Sequence, residues 1–258
     1  MFYSKKLNRF KEIKHCFFSK KNGYSTGIYK SLNCGHGSKD NKKNIQKNLK
    51  LVAKKMCVKP KNLVLMHQTH SNNVIEIKRM NYKKKIYADA MITKMRGISL
   101  GVLTADCVPV ILYDSRNKII GCIHAGWQGA FKKIVKKTIK KIKKISSNSK
   151  IYASVGPCIG LKSYEVDIKF YNKFVSKSPK NKLYFLNKSK SKKLFNLRRY
   201  VTDKLKQCKV EVDQVSHDTF AEKNKFFSYR RSCKLKQKDY GRCISTIGML
   251  NSFEKIYK

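Results

Sequence analysis

The stretch LGVLTADCVPVILYDSRNKIIGCIHAGWQG, residues 100–129, contains two apolar runs joined by a short polar segment. VPVILYD and KIIGCIHAG have the composition of buried strands, and SRN between them indicates a hairpin-like connection. Cys107 comes directly before the first strand, and His124 lies near the end of the second. The sequence therefore predicts a thiol and an imidazole at the rim of a sheet, where functional sites are commonly built.

Further strands are predicted on both sides of this hairpin. NLVLMHQTHSNNVIEIKRM indicates two strands around a polar turn at residues 67–73, and GISLGVLTADC indicates a buried strand. IYASVGPCIG and VEVDQVSHDTF are predicted strands as well. Near the end of the chain, FFSYRRSCKLKQKDYGRCISTIGML predicts a loop with paired arginines followed by a closing strand.

The helices are predicted where the spacing of apolar residues changes to that of a helix, three to four positions apart. In FKKIVKKTIKKIKKI, residues 131–145, the apolar side chains recur at helical spacing with lysines between them. SYEVDIKFYNKFV and FNLRRYVTDKLKQC predict two more helices, and NKSKSKK at 187–193 predicts a charged loop. Neither a linker nor an internal repeat divides the chain. We therefore expect one compact α+β domain over residues 1–258, with mixed β-sheets flanked by helices.

The net charge of +45 is extreme for 258 residues. A basic chain can bind nucleic acid, but a dedicated binding surface concentrates its cations in one region. Here the lysines lie along nearly the whole chain. We interpret them as a coding bias, expect no specific nucleic-acid partner, and expect the surface to attract small anions.

Cysteine usage and the chain's start indicate the compartment. Nine cysteines, an odd number, occur without any C-x-x-C pair, which argues against a disulfide framework or a structural zinc knuckle. The first residues have no apolar signal region, and no apolar run reaches membrane-span length. We expect a cytoplasmic protein without a membrane partner, and a monomer.

Three side chains of the predicted turns form a candidate site: His70, Cys107 and His124. A thiolate and two imidazoles suit Zn²⁺, with a fourth position open for water or substrate. The same groups could instead form a Cys–His nucleophilic site without metal. Spacing along the sequence leaves both interpretations open.

Six motifs occur in order between residues 66 and 242: HQTHSNNV, ADAMIT, LTADCVPV, IHAGWQG, VGPCIG…YEV and FFSYRR…YGR. Together they closely resemble the purine nucleoside phosphorylase family, also called the peptidoglycan editing factor family and formerly the multicopper polyphenol oxidase (laccase) family. The resemblance implies a compact α/β/β/α fold. It also implies one zinc ion held by His70, Cys107 and His124, with copper the less expected metal.

The activities implied by the resemblance use purine nucleosides and inorganic phosphate. They are phosphorolysis of adenosine, inosine, guanosine and methylthioadenosine to free base and ribose 1-phosphate, together with deamination of adenosine to inosine. Cys107 and His124 are then catalytic as well as metal-binding. The H-x-E glutamate of zinc base deaminases is missing at these histidines, so Asp106 is our candidate for proton transfer.

Substrate contacts are expected from polar residues of the motifs. Lys20, in SKKNG, stands where the family usually has arginine; lysine keeps the charge but loses the two-pronged hydrogen bonding. Phosphate could be held by Lys20 and by three arginines, Arg230, Arg231 and Arg242, of which Arg230 is the first candidate. Near the start of the chain, FFSKKNGYSTGIYKSLNCG also resembles the family's N-terminal motif. Asn33, in this segment, and Gln68 are expected to bond ribose or base.

Two alternative functions remain at this point. A peptidoglycan-precursor-editing hydrolase would use Cys107 and His124 as a catalytic dyad, or the zinc ion to activate water. A copper-dependent phenol oxidase is weaker, because multicopper centres need more imidazoles than the six available.

Overall fold

The structure is a computed structural model that describes residues 1–79, 85–145 and 148–251. Its α-helices are α1 Lys42–Lys55, α2 Trp127–Phe131, α3 Ile134–Ile145, α4 Ile168–Lys177, α5 Leu197–Gln207 and α6 Tyr229–Lys234. Its strands are β1 Ile13–Phe17, β2 Leu63–Leu65, β3 Val74–Glu76, β4 Ala90–Thr93, β5 Ile98–Thr104, β6 Val108–Asp114, β7 Ile119–Ala125, β8 Ile151–Val155, β9 Glu165–Asp167, β10 Phe185–Asn187, β11 Lys192–Phe195, β12 Glu211–Gln214 and β13 Cys243–Met249.

The predicted hairpin is the centre of a six-stranded mixed sheet in the order β12-β8-β6-β7-β4-β3. β6 and β7 pair antiparallel from Val108 opposite Ala125 to Asp114 opposite Ile119. Every residue of both strands is buried. Strands this apolar are expected only where both faces of a sheet are covered.

A four-stranded sheet, β1-β13-β5-β2, covers one of those faces. Ile111 and Tyr113 of β6 share a core with Leu100 and Val102 of β5. The opposite face of β6 packs with α3, α4 and α5 through a second core, while α1 packs on the outer face of the four-stranded sheet. The layers therefore run α/β/β/α. The predicted α+β fold with flanking helices is confirmed, while the boundaries 1–258 stay a prediction.

Several local predictions were wrong in detail. The helix expected over 131–145 begins only at Ile134, since Phe131 ends the preceding helix α2 and Lys133 adopts a φ of 67° between the two. The helix expected from residue 163 begins only at Ile168, after the short strand β9. The expected charged loop at 187–193 overlaps the ends of the β10–β11 hairpin. The paired arginines lie in α6, and α1 was not predicted because lysines obscure its narrow apolar face.

Strand directions bring the predicted turns to one edge of the six-stranded sheet. β3 is parallel to β4, and β4 is antiparallel to β7. The starts of β3 and β4, the start of β6 and the end of β7 therefore lie at the same edge. This edge receives the turn before β3, the turn before β6 and the segment after β7. Among the described residues, no helix is both long and apolar enough to cross a membrane.

Candidate metal centre

Two turns and the end of β7 meet at this edge and bring His70, Cys107 and His124 together. One potential ligand atom from each of the three lies within 4.8 Å of the others. The rings of His70 and His124 are 4.8 Å apart between centroids and inclined at 65°. His124 is buried, Cys107 is half-buried and His70 is exposed, so the group is open to solvent on one side.

Asp89, directly before β4, holds this group in place from the buried side. Its carboxylate accepts hydrogen bonds from the backbone N–H groups of Thr69, His70 and Ser71 at 3.2, 3.1 and 2.7 Å. The Ser71 hydroxyl donates to it at 2.7 Å, and His124 Nδ1 lies 2.8 Å from its Oδ1. Because a carboxylate only accepts, His124 must donate from Nδ1. Nε2 of His124 is then left as the ligand atom, as in many metal-binding histidines.

Electrostatics reinforce this arrangement. Burial alone would raise the pKa of Asp89, but the hydrogen bonds from His124 and Ser71 hold it well below its usual range. Burial would lower the pKa of His124, yet the adjacent Cys107 and Asp89 together raise it to about 9. Burial and the neighbouring His124 lower the pKa of His70. Cys107 and Asp89 thus favour positive charge next to His124, which a bound cation would supply, while His70 favours its neutral, metal-binding form.

Two ligand turns adopt unusual backbone conformations. His70 has a φ of 56° and Asp106, directly before Cys107, a φ of 83°. Residues with side chains occupy this left-handed region at an energetic cost, and such residues cluster at functional sites. At His70 the hydrogen bonds from three consecutive backbone N–H groups to Asp89 hold the turn in place.

Gly126 leaves room for the ligands. A Cβ atom at this position would lie 2.8 Å from His70 Nδ1 and 2.9 Å from Cys107 Sγ. Its φ of −67° is available to any residue, so the need for glycine is steric. The absence of a side chain keeps the space next to the thiol and the imidazole free.

We predict that Gly126→Ala lowers metal affinity by about 10- to 100-fold, the range seen when the surroundings of metal ligands are disturbed. The added methyl group would push His70 or Cys107 out of position. Competition with a chromophoric chelator measures the affinity. Gly37→Ala is a matched control, because a Cβ there meets nothing within 4 Å. Unchanged affinity in Gly126→Ala would show that the ligands do not need this space.

The donor set fits a single metal ion. A cysteine and two histidines are typical zinc ligands, and three protein ligands with an open position are typical of catalytic zinc. One histidine is oriented by a buried carboxylate, as such ligands usually are. We conclude that these side chains could hold a metal ion.

The three side chains lie in the wall of a cavity of about 520 Å³, a size suited to a small organic molecule. Aromatic and arginine side chains line much of the rest of it. Trp127, Tyr164, Tyr229 and Tyr240 supply the rings, and Arg230 and Arg242 supply positive charge. Arg230 lies 5.2 Å from the ring centre of Tyr164, and Arg242 lies 4.3 Å from that of Tyr240.

The predicted proton-transfer residue, Asp106, lines the same cavity, but its carboxylate already accepts several hydrogen bonds. Its carboxylate accepts hydrogen bonds from the hydroxyls of Thr219 and Ser228, at 2.7 and 2.9 Å. It also accepts one from the backbone N–H of Arg230, at 2.7 Å. Burial raises its pKa despite these bonds. Asp106 therefore fastens the segment around residues 219–230 to the cysteine turn, and its catalytic role stays a prediction.

Of the predicted substrate contacts, Gln68 and Arg230 line the cavity, as does Arg242. The Gln68 amide is paired with both backbone groups of Leu103, at 2.7 and 2.8 Å. Arg230 donates to the carbonyl of Glu165 at 2.7 Å, which fixes its direction. These three residues are brought together with the metal-ligand group.

Lys20, Asn33 and Arg231 are not among the described residues that line this cavity. Asn33 is fully buried, and its amide bonds the Arg242 N–H, the Gly35 N–H and the carboxylate of Asp40. Lys20 and Arg231 line a different cavity. Their expected roles in substrate binding remain untested predictions, but the structure does not bring them to the metal ligands.

Asp89 and Gly126 were given no role from the sequence, although both lie in quoted motifs. A signal for Asp89 was present: an aspartate at the start of an apolar run, ADAMIT, is unlikely to be buried without several donors. The aromatic lining gave no such signal, since Tyr164 lies in one motif and Tyr229 and Tyr240 in another, and only the fold brings these two segments to one cavity.

The fold and the site define a single-domain α/β/β/α protein with one candidate His₂Cys metal centre in a substrate-sized cavity. The family model described as multi-copper polyphenol oxidoreductase laccase matches residues 14–250, and the chain belongs to this family. A purine nucleoside phosphorylase of Rickettsia prowazekii is 37% identical over 181 residues, covering 67% of this chain and 72% of the relative. Another from Haemophilus influenzae is 33% identical over 221 residues, covering 84% and 88%.

Solved structures show the same fold. A hypothetical protein, YfiH, of Bacillus licheniformis superposes with a TM-score of 0.85 at 26% identity, covering 94% of both chains. A Neisseria meningitidis protein superposes with a TM-score of 0.83 at 27% identity, covering 93% of this chain and 96% of that one. The predicted family is therefore confirmed over nearly the whole chain.

Proposed function

We propose that this chain is a zinc-dependent purine nucleoside enzyme. It cleaves adenosine, inosine, guanosine and methylthioadenosine with phosphate to free base and ribose 1-phosphate, and it deaminates adenosine to inosine. The observation that carries the proposal is the convergence of His70, Cys107 and His124 within 4.8 Å in the wall of one cavity. The relatives named purine nucleoside phosphorylase supply the substrate class.

Bound zinc would supply a Lewis acid able to activate water or polarise a substrate atom. The protein's own part is to hold the ligands, and Asp89 does this by fixing His124 and the turn that carries His70. Asp106 is proposed to move a proton during deamination, while Cys107 and His124 serve as metal ligands. Burial keeps the protonated form of Asp106 accessible, because it raises the pKa of this carboxyl.

Phosphate would bind to the arginines that line this cavity. Arg230 and Arg242 carry charge that is permanent at any working pH and present donors in a planar fork that suits phosphate oxygens. The four aromatic side chains of the cavity provide faces on which a purine ring can pack. Gln68 is proposed to contact ribose or base. Phosphorolysis would then not depend on the lysine that replaces the family's usual arginine at residue 20.

The direct test incubates adenosine with zinc-loaded protein, with and without phosphate, and separates the products by chromatography. We expect adenine and ribose 1-phosphate only when phosphate is present, and inosine in both reactions. Metal analysis of protein purified without chelator should give about one zinc per chain, as expected for a three-ligand catalytic site. Finding neither adenine nor inosine, with the zinc site fully loaded, would rule out the proposed activity.

A second candidate function is favoured by one observation. Cys107, His124 and Asp89 have the order of a nucleophile, base and orienting acid, with His124 Nδ1 2.8 Å from the carboxylate. Such a triad suits a thiol hydrolase, for example one that edits peptidoglycan precursors. It would not require His70, and this difference separates the two candidates experimentally. Copper-dependent phenol oxidation has no comparable support in the described residues, which present one three-ligand group.

A further inference from the structure

A second cavity, of about 540 Å³, lies next to the same short helix that borders the metal centre. Successive residues of this segment serve different cavities. Tyr229 and Arg230 line the cavity of the metal ligands, whereas Ser228, Arg231 and Ser232 line the second one. The paired arginines therefore face two different cavities, which the sequence could not indicate.

The charged side chains that line the second cavity are all positive. Its wall contains the cations Lys20, Lys21, Lys30 and Arg231, and none of its described lining residues is an aspartate or glutamate. Polar uncharged side chains and glycines make up most of the remainder, with Phe227 as its one aromatic ring among those residues. A concave surface lined by charge of one sign focuses the electrostatic field and concentrates ions of the opposite sign.

Lys20 and Arg231 form the inner part of this wall. The backbone of Lys20 is fixed by bonds to the Lys225 carbonyl at 2.8 Å and from the Leu32 N–H at 2.7 Å. Its ammonium lies 5.6 Å from the ring centre of Phe227. Lys20 is therefore a partly buried cation held on a fixed backbone, unlike the many exposed lysines of this chain.

The guanidinium of Arg231 makes no salt bridge with a carboxylate among the described residues. It donates instead to the carbonyls of Thr219, at 2.9 Å, and of Phe220, at 2.7 Å, and to that of Phe226. Burial and the nearby Arg231 lower the pKa of Lys20. Two partly buried cations thus repel each other beside a cavity whose described lining residues include no carboxylate. Asp106 and Asp218, which lie outside this lining, offset only part of the charge of Arg231, because burial still lowers its pKa.

We propose that this second cavity binds a small phosphorylated anion between Lys20 and Arg231. Phosphoryl oxygens accept strong charge-assisted hydrogen bonds from both groups, and their charge relieves the repulsion between the two cations. The volume is within the range for small-molecule sites, so it accommodates a phosphomonoester as well as inorganic phosphate. This site is separate from the phosphate position proposed for the nucleoside reaction.

The test uses inorganic phosphate as the probe and zinc-loaded protein without nucleoside. Calorimetry measures total binding, and the fluorescence of Trp127, the chain's one tryptophan, reports on the metal-site cavity that it lines. We expect a binding component in calorimetry that leaves Trp127 fluorescence unchanged and weakens with added salt. Lys20→Gln should weaken this component by about tenfold, because a charge-assisted hydrogen bond is lost.

Lys43→Gln is the matched control, since it removes the same charge from an exposed position on α1 and should change phosphate affinity less than about twofold. Lys20→Arg should bind at least as tightly as the wild type, because guanidinium can bond two phosphate oxygens. Circular dichroism confirms that each variant is folded. Equal phosphate binding by Lys20→Gln and Lys43→Gln, or binding seen only through Trp127, would overturn the proposal.

Discussion

Cys107→Ala is expected to remove zinc and turnover together. The substitution deletes the thiolate of the His70–Cys107–His124 group, and two histidines alone do not complete a three-ligand zinc site. We expect zinc content far below one per chain and adenosine turnover reduced by at least about three orders of magnitude. Metal analysis and product chromatography on the same preparation measure both quantities. The fold should persist, since Cys107 is half-buried at the sheet edge and outside the two main cores.

Three further variants identify the role of the thiol. Cys107→Asp provides a carboxylate that still binds zinc but cannot replace a thiol nucleophile, so partial activity supports the metal role. His70→Asn removes a ligand while keeping a residue that tolerates a φ of 56°. It should abolish zinc binding and activity, whereas a Cys107–His124–Asp89 triad would tolerate it. Cys208→Ala, a partly buried cysteine elsewhere, serves as the control.

If Cys107→Ala keeps full zinc and loses only turnover, the thiol is the nucleophile and the ligand assignment is wrong. If His70→Asn in addition keeps its activity, the thiol-hydrolase alternative is favoured. Release of an amino acid from a nucleotide-linked muramyl compound would then be the activity to measure. The two alternatives predict different results. The zinc enzyme needs His70, Cys107 and His124 as metal ligands, whereas the thiol hydrolase needs Cys107 and His124 but not His70.

Asp89→Asn is expected to weaken both the metal site and the fold. The asparagine side chain has the same shape, but its NH₂ group donates where the carboxylate accepted hydrogen bonds. Asp89 is fully buried and receives bonds from Thr69, His70, Ser71 and His124. We expect zinc affinity to fall by about 10- to 100-fold. The free energy of unfolding should fall by roughly 3 kcal/mol, since buried donors lose a charged acceptor.

Chelator competition measures the zinc affinity, and denaturant unfolding of the metal-free protein measures stability. Glu211→Gln is the control, because the exposed Glu211 on β12 makes surface ion pairs with Lys6 and Arg9, and its replacement should change stability by less than about 1 kcal/mol. Asp89→Asn protein with wild-type zinc affinity would show that Asp89 does not position the ligands. A loss of zinc affinity without a loss of stability would limit its role to orienting His124.

Much of the architecture was predictable from local patterns. The β6–β7 hairpin was predicted because its strands are continuously apolar and its connection is short and polar. Helices α3 and α5 were predicted from the recurrence of apolar residues every three to four positions. By contrast, the break at Lys133 depends on a left-handed backbone conformation that lysine rarely signals. Helix α1 was missed because its few apolar residues are separated by lysines and asparagines.

The metal ligands could be nominated from the sequence, because each lies in a motif where a strand meets a turn and because the motifs resemble those of a known family. Their convergence could not be derived from spacing, since His70 and Cys107 lie 37 positions apart in the chain. The parallel pairing of β3 with β4, and the antiparallel pairing of β4 with β7, bring the turns together. Asp89 gains its role only in this arrangement, because it accepts hydrogen bonds both from the turn that carries His70 and from His124 in β7.

The sequence by itself determined strands β5 to β8, helices α3 and α5 and the residue types able to bind a metal, because these follow from local composition and periodicity. The tertiary structure alone decided which polar residues share a cavity. Adjacent side chains on a short helix point in different directions, so Arg230 faces the metal ligands while Arg231 faces the second cavity with Lys20. Asn33, whose substrate role stays a prediction, is fully buried, and its side-chain oxygen accepts a hydrogen bond from the backbone N–H of Arg242. Direction and burial depend on packing between distant segments, and that packing is not encoded in any short stretch of the chain.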